Sequence, residues 1–381
     1  MSVNLEMDKA ITLSDNTKLG YFPKDGNIYV NKTIVLYGSS NSGKTTILIE
    51  ILKLLVNHIY NIVAFVPSNE VNNAYTGIIP DVLIHRELTR EKINKIWEEQ
   101  KKKALLYQIC HNEQELSNVV SCMKSITCLS HIYYAITRAI QMFKEQAQRK
   151  MERIESDRNI NFADKSDRIN KVKDMVKNDI VETYRRAIIE NQTTLLENIQ
   201  DRALCNIIRY ININPNMVII FDDCIDEIEA ISGKTKTKKG ENKASIMDTI
   251  FQQGRHFYLT VIITAQVDGK MNTTLRRNAF INIFTEPTCA SHFFNNKANS
   301  IDKTRTKRAE FICSNIFGDP SPHNFKKFVY YRPGNDSNMF SYTIANRYPK
   351  FRFGHPDVWE LCEQIEKKVK NDSREFLESI N

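Results

Sequence analysis

The chain has 381 residues, 41% of them hydrophobic, and a formal charge of +8. That length holds one large α/β domain with a sizeable insertion, or two domains, and the charge permits an anionic partner without requiring one. No signal peptide and no apolar run long enough to cross a membrane is present, which argues against a secreted or membrane-spanning protein. Eight cysteines without a C-x-x-C pair point to reduced thiols in a cytosolic setting.

In chain order, residues 1–32 carry short alternating stretches and a turn signal at Lys24-Asp25-Gly26-Asn27, which predict edge strands leading into a core. Thr33–Tyr37 reads as the first core strand. It runs into Gly38-Ser39-Ser40-Asn41-Ser42-Gly43-Lys44-Thr45-Thr46, whose spacing is G-x-x-x-x-G-K-[ST], the phosphate-binding loop. Gly38 and Gly43 let the backbone curl so that its N–H groups form a nest for phosphates, and the following helix adds its unpaired N-terminal donors. Lys44 supplies charge to the β- and γ-phosphates, and the Thr45 hydroxyl is placed to ligate Mg²⁺. The alternative, a plain glycine turn, fits poorly in a chain with 12 glycines and an apolar strand and long helix flanking the motif.

Thr45–Ile59 is expected to be that helix, apolar around most of its girth, with Glu50, Lys53 and Asn57 on one polar stripe. Ile62–Val66 reads as a second buried strand. From Glu87 to about Tyr210 long helical patterns take over, without Gly or Pro between Pro80 and Pro215. The mixed charges of residues 143–187 predict a solvated helical hairpin or arm, and a partner-binding or DNA-touching arm is the sharper alternative.

Met217–Phe221 returns to strand and ends in Asp222-Asp223. A carboxylate there can hold the Mg²⁺ shell opposite Thr45, which assigns Asp222 to the metal and Asp223 to the attacking water as general base. Asp226 and Glu227 stay open as alternative bases, and a pair of helix-capping acids is the blander reading. Ser232–Lys243 is a lysine-rich loop, followed by a helix through Gln252. Leu259–Thr264 is another apolar strand ending at Gln266, a residue placed to touch the γ-phosphate or the water. Arg276 and Arg277 precede the last core strand, Phe280–Phe284. Arginine suits transition-state charge on a transferring phosphoryl group, although two surface cations would read the same. Beyond them the tail reads as a satellite: a basic stretch (Lys303, Arg305, Lys307, Arg308), a hairpin of Phe328–Tyr331 against Phe340–Ile344, and a final helix from about Asp357 to Val369. Two loose Cys/His groupings, Cys110 to His131 and Cys289 to His323, fit no zinc spacing.

Taken together, Ile34–Thr46, the Met217–Asp223 strand, Gly254-Arg255-His256, the strand ending at Gln266, and Arg276-Arg277-Asn278 resemble the genome-packaging ATPases of poxviruses and other large nucleocytoplasmic DNA viruses, within the FtsK/HerA superfamily. Asn72, Tyr75, Pro80, His85 and Phe351-Arg352-Phe353-Gly354 are similar more loosely. The resemblance covers roughly residues 33–85 and 214–286. It implies a RecA-like P-loop NTPase, an α/β fold with a central, mostly parallel sheet in which the Gln266 strand lies between the strands bearing the phosphate loop and Asp222. It also implies an ATP- and Mg²⁺-dependent homo-oligomeric ring, hexamer or pentamer, that translocates double-stranded DNA into a capsid with a capsid or portal partner, in the viral factory of the host cytoplasm or with the virion. An arginine from the next subunit, Arg276 or Arg277 with Arg255 in reserve, would complete each site. Members commonly carry Glu where Asp223 stands, and the helical segment matches no known element.

The expected organisation is residues 1–86 as edge strands and the first half of the ATPase core, 87–210 as a helical insertion, 211–286 as the second half, and 287–381 as a C-terminal extension with hairpin and helix. Lys234, Lys236, Lys238 and Lys239 of the basic loop are candidates to grip DNA phosphates; a solvated linker is the alternative. Two rival functions use the same motif. A small-molecule phosphotransferase would need an arginine-rich lid and an acceptor pocket, and a nucleotide-gated scaffold would bind without turnover.

Overall fold

The computed structural model describes residues 3–67, 74–112, 130–190, 215–232, 235–236, 242–243, 245–266, 271, 273–318 and 325–380. The chain gathers into two units, Met1–Trp97 with Asn216–Cys362, and Glu98–Pro215 with Glu363–Asn381.

The first unit is built on one sheet. Its strands are β1 (Glu6–Thr12), β2 (Lys18–Tyr21), β3 (Thr33–Tyr37), β4 (Asn61–Phe65), β5 (Ile84–His85), β6 (Met217–Phe221), β9 (Leu259–Ala265), β10 (Ile281–Phe284), β11 (Lys326–Tyr331) and β12 (Phe340–Ile344); β7 (Thr235–Lys236) and β8 (Asn242–Lys243) form a separate small hairpin. The order across the main sheet is β1-β2-β12-β11-β10-β3-β9-β6-β4-β5. From β10 to β5 all neighbours are parallel. Every residue of β3, β4, β6, β9 and β10 is buried, which is the continuous apolar burial expected of parallel strands covered on both faces. The strand bearing Gln266 at its end, β9, does lie between the phosphate-loop strand β3 and the Asp222 strand β6. This is an α/β architecture with a central, mostly parallel sheet.

Two details set the ends of these strands. Tyr37 stacks on Phe284 with centroids 5.0 Å apart, and Phe65 stacks on Phe221 at 5.6 Å. Each pair consists of in-register neighbours at the last position of parallel strands. Such pairs contribute about 0.5–1.5 kcal/mol beyond their burial and brace the edge where the functional loops leave the sheet.

The hairpin expected in the tail is present, but it is not a satellite. Strand β11 pairs antiparallel with β10, and β12 then joins β2, so the tail and the N-terminal edge strands extend one continuous sheet. Buried Phe328, Tyr330 and Phe340 close over Phe294, and that aromatic cluster is what a free-standing hairpin would leave in water. The basic stretch Lys303–Arg308 is the start of a helix, Lys303–Phe317, capped by Asp302. The turn signal at Asp25 is likewise a cap, of the short helix Gly26–Tyr29. The helix after the phosphate loop spans Lys44–Leu55, and Glu50 is not on a wet stripe: it is buried, 2.5 Å from Lys24 Nζ, and accepts from the Tyr348 hydroxyl at 3.2 Å. A partner 26 residues upstream satisfies it, which periodicity cannot foresee.

In the second unit the helices Ser130–Ser156 and Phe162–Glu190 pack against each other as a hairpin. Asn161 caps the second helix through the Asp164 N–H at 2.8 Å, and Lys165 Nζ donates to Glu155 O at 2.7 Å across the turn. Residues 113–129 and 191–210 of the expected helical insertion lie outside the described residues. Among the described residues no helix is long and apolar enough to cross a membrane.

Candidate functional site

The site forms where β3, β6, β9 and β10 end on the same edge of the sheet. The ladders continue one residue past the strands: Gly38 N–H donates to Ala265 O at 3.0 Å, Asp222 N–H to Phe65 O at 3.0 Å, and Thr285 N–H to Tyr37 O at 2.9 Å. The first residue of each loop is therefore as fixed as the sheet itself.

Gly43 precedes the helix Lys44–Leu55 with φ of 92°, a left-handed conformation that suits glycine. Gly38 is required for space: a Cβ there would come within 1.8 Å of Thr285 Oγ1 and 2.3 Å of Ser42 Oγ. Between the two glycines the loop is held from outside. The Thr285 and Ser42 hydroxyls are hydrogen-bonded at 2.6 Å, Lys327 Nζ from β11 donates to Ser42 O at 3.0 Å, and Glu286 accepts from both Ser39 N–H at 2.9 Å and Ser39 Oγ at 2.7 Å. Lys44 Nζ donates to Gly38 O at 2.6 Å and Ser39 O at 2.7 Å. Burial depresses the Lys44 pKa, while the Asp222, Asp223 and Glu286 carboxylates oppose that shift by their charge.

In front of the loop lies a cavity of about 400 Å³, lined by Ser40, Asn41, Gly43, Lys44, Thr45 and Thr46 on one side and by Tyr75, Asp222, Asp223, Thr264 and Gln266 on the other. The two motifs thus face each other as their types demand. Asp222 is held by two hydroxyls, Thr264 Oγ1 at 2.6 Å on Oδ1 and the buried Tyr75 at 2.7 Å on Oδ2. Burial beside this carboxylate pushes the Tyr75 phenol far up, so it remains a donor. Asp223 adopts φ of 57°, its N–H donating to Thr264 Oγ1 at 2.9 Å, and Gln266 Nε2 lies 3.4 Å from its Oδ1. Asp223 is exposed to the cavity, whereas Cys224 beside it is buried.

Thr45 and Asp222 offer oxygen donors to one cavity. Among the described residues no three His, Cys, Asp or Glu side chains converge on a metal-sized space. A cation here would depend on phosphate oxygens and water for most of its shell, the manner in which Mg²⁺ is ordinarily held, so the donor set fits that ion.

The remaining expected residues are placed differently. Arg276 is buried, at 7% exposure. Arg277 is exposed. Both belong to the helix Thr273–Asn278, just before the start of β10, where Arg332 Nη1 donates to their carbonyls at 3.2 and 3.0 Å. Because β10 runs parallel to β3, that is the end of the sheet opposite the phosphate loop. Arg255 is exposed at the same end, over the Phe280 ring. Lys234, Lys238, Lys239 and Asn72 lie outside the described residues; Lys236 falls in the β7–β8 hairpin, of which only the backbone is described.

Sequence reading missed Thr264, Thr285, Glu286 and Lys327. A signal existed for two of them: Thr285-Glu286-Pro287 is a polar strand end followed by a helix start, the same local grammar as Asp222-Asp223. Thr264 and Lys327 reach the site by strand register alone.

No protein-family model matches the chain. Among curated proteins it is similar to the uncharacterized protein B354L of African swine fever virus, 27% identical over 345 residues in the Warthog/Namibia isolate and 26% over 343 in the Tick/Malawi isolate, with 89% of both chains covered each time. Among solved structures it is similar to the genome packaging NTPase B204 of Sulfolobus turreted icosahedral virus 2 in complex with ATP-gammaS, at 10% identity and TM-score 0.34, covering 86% of this chain and 100% of that one. The pCW3 conjugation coupling protein TcpA aligns at 10% identity and TM-score 0.33 over 94% of this chain and 70% of that one. EssC of Geobacillus thermodenitrificans aligns at 11% and 0.33 over 97% and 51%.

Proposed function

We propose that this protein is an ATPase that moves double-stranded DNA, assembled as a homo-oligomeric ring of six or five subunits, and that its task is to load a viral genome into a capsid. The observation that carries the reading is the line Asp222–Thr264–Asp223–Gln266 across β6 and β9, opposite Lys44 and Thr45. It sets a metal-holding acid, a candidate base and a polar sensor side by side against a phosphate loop.

In this reading Lys44 leaves the carbonyls of Gly38 and Ser39 for the β- and γ-phosphates, and the loop N–H groups hold the phosphate oxygens. Thr45 and Asp222 would hold Mg²⁺, which supplies charge neutralisation to the phosphates when bound. Asp223 takes the proton of the attacking water, and Gln266, in contact with it, orients that water and reports hydrolysis along β9. The viral relatives support a viral setting; within it, the reading places the protein in the cytoplasmic factory or the virion and takes a capsid or portal component as its partner. The lysines of the 232–243 segment are the proposed phosphate grip on DNA.

The test is ATP turnover with and without double-stranded DNA. A motor is stimulated by DNA and the stimulation falls with salt. Stimulation by a small acceptor instead would identify a phosphotransferase, and slow turnover under all conditions would identify a nucleotide-gated scaffold.

A further inference from the structure

One carboxylate is built into the phosphate loop itself. Glu286 leaves the end of β10 and is followed by the helix Pro287–Asn295. Its Oε1 takes the Ser39 N–H and its Oε2 the Ser39 hydroxyl, while Lys44 holds the Ser39 carbonyl from the other side. The Cys289 thiol lies 3.0 Å from Oε1 as a further donor. Phosphate loops work because their N–H groups and helix dipole present positive potential to an anion. Ser39 and Glu286 stand beside the cavity rather than among the residues that line it, and a carboxylate bonded to a loop N–H there has the wrong sign for that task. It is ionised at neutral pH: partial burial alone would raise its pKa, but hydrogen bonds from Cys289 and Ser39 and the Lys44 charge outweigh it and hold the group below its usual range.

We propose that Glu286 sets the affinity of the loop for nucleotide by its charge, holding Ser39 in place when the loop is empty and opposing the polyphosphate so that product is bound weakly. This rests on the nucleotide-binding reading above. Glu286 is a positioning residue for the loop and an electrostatic counterweight to the phosphates. A purely structural clamp predicts the opposite result when the charge is removed.

The experiment measures ADP binding by calorimetry to the full chain, in EDTA and in Mg²⁺. Glu286→Gln keeps the shape and an acceptor for Ser39 but removes the charge, so ADP should bind roughly tenfold tighter in EDTA, the scale expected for one nearby charge at moderate screening. The gain should be smaller with Mg²⁺, which neutralises part of the ligand, and should shrink as salt rises. Glu286→Asp, which keeps the charge on a shorter arm, should show no gain. Glu286→Ala removes charge and clamp together and serves as the second neutral variant if the amide fails to fold. The proposal is overturned if both neutral variants bind ADP no tighter than the unsubstituted protein, or if the gain is equal with and without Mg²⁺. If the unsubstituted, folded chain binds neither ADP nor ATPγS, the nucleotide reading itself fails and the proposal falls with it.

Discussion

Thr264 holds Asp222. Its hydroxyl donates to Asp222 Oδ1 at 2.6 Å and at the same time accepts the Asp223 N–H at 2.9 Å, so one threonine on β9 orients both acids at the end of β6. With Tyr75 on the other oxygen, Asp222 can turn neither way. Partners of this kind around a metal-binding carboxylate are typically worth 10–100-fold in metal affinity or activity. Thr264→Val and Tyr75→Phe should each raise the Mg²⁺ concentration needed for half-maximal ATP turnover by about tenfold or more. A magnesium titration that is unchanged in both variants would remove Asp222 from the metal.

Lys44→Ala should abolish turnover and weaken binding of a fluorescent ATP analogue with little change in melting temperature. The side chain bonds only loop carbonyls, and the loop is independently held by Thr285, Glu286 and Lys327. Near-normal hydrolysis in this variant would end the phosphate-loop assignment.

Gly38→Ala tests the space rather than the charge. The added methyl would overlap Thr285 Oγ1 and Ser42 Oγ, and Thr285 is a buried β-branched residue already bonded to Tyr37 O at 3.0 Å. Overpacking of this kind costs about 1–3 kcal/mol. Most of it should appear as lost nucleotide affinity, since the clash is in the loop. Unchanged binding by equilibrium titration would show that the loop relaxes at no cost.

Asp223→Asn should bind Mg-ATP and hydrolyse it about 10²–10⁴-fold more slowly, because an amide cannot take the proton. Asp226→Asn and Glu227→Gln are the controls, since both lie in the first turn of the helix Ile225–Ile231 and outside the residues lining the cavity. If either of these reproduces the slow phenotype while Asp223→Asn remains active, the base is elsewhere.

The two arginines separate by stability and by activity. Arg276→Ala should lower the melting temperature, because it empties a buried position. Arg277→Ala should melt normally yet lose activity, if this residue serves the neighbouring site; such trans arginines are worth about 10³–10⁵ in rate. Mixing inactive Lys44→Ala and Arg277→Ala proteins should then restore turnover through interfaces that pair one intact Lys44 with one intact Arg277. Since Arg277 lies at the sheet end opposite the loop, restoration requires neighbours staggered along the strand direction. No restoration, with subunit exchange demonstrated, would rule out the trans role.

What the sequence determined was whatever depends on local spacing. Thr33–Tyr37 and Met217–Phe221 were legible to the residue, because an uninterrupted apolar run of that length suits only a buried strand. The Gly38–Thr46 loop was legible because two glycines, a lysine and a hydroxyl must sit at fixed intervals to hold phosphate. The place of β9 between β3 and β6 was legible only through resemblance. Tertiary structure alone decided the rest. Thr264 meets Asp222 because β6 and β9 pair with Phe221 opposite Ile263. Lys327 reaches Ser42 because the tail hairpin adds to β10 with Phe328 opposite Phe284. Arg276, chosen for its chemistry, turned out to be buried, and Glu286, unremarked for its chemistry, sits on the loop. For Thr264 and Lys327 the physical reason is register. A one-residue change of register would turn these side chains to the other face of the sheet, and register is set by pairing between strands tens to hundreds of residues apart, which no local pattern encodes.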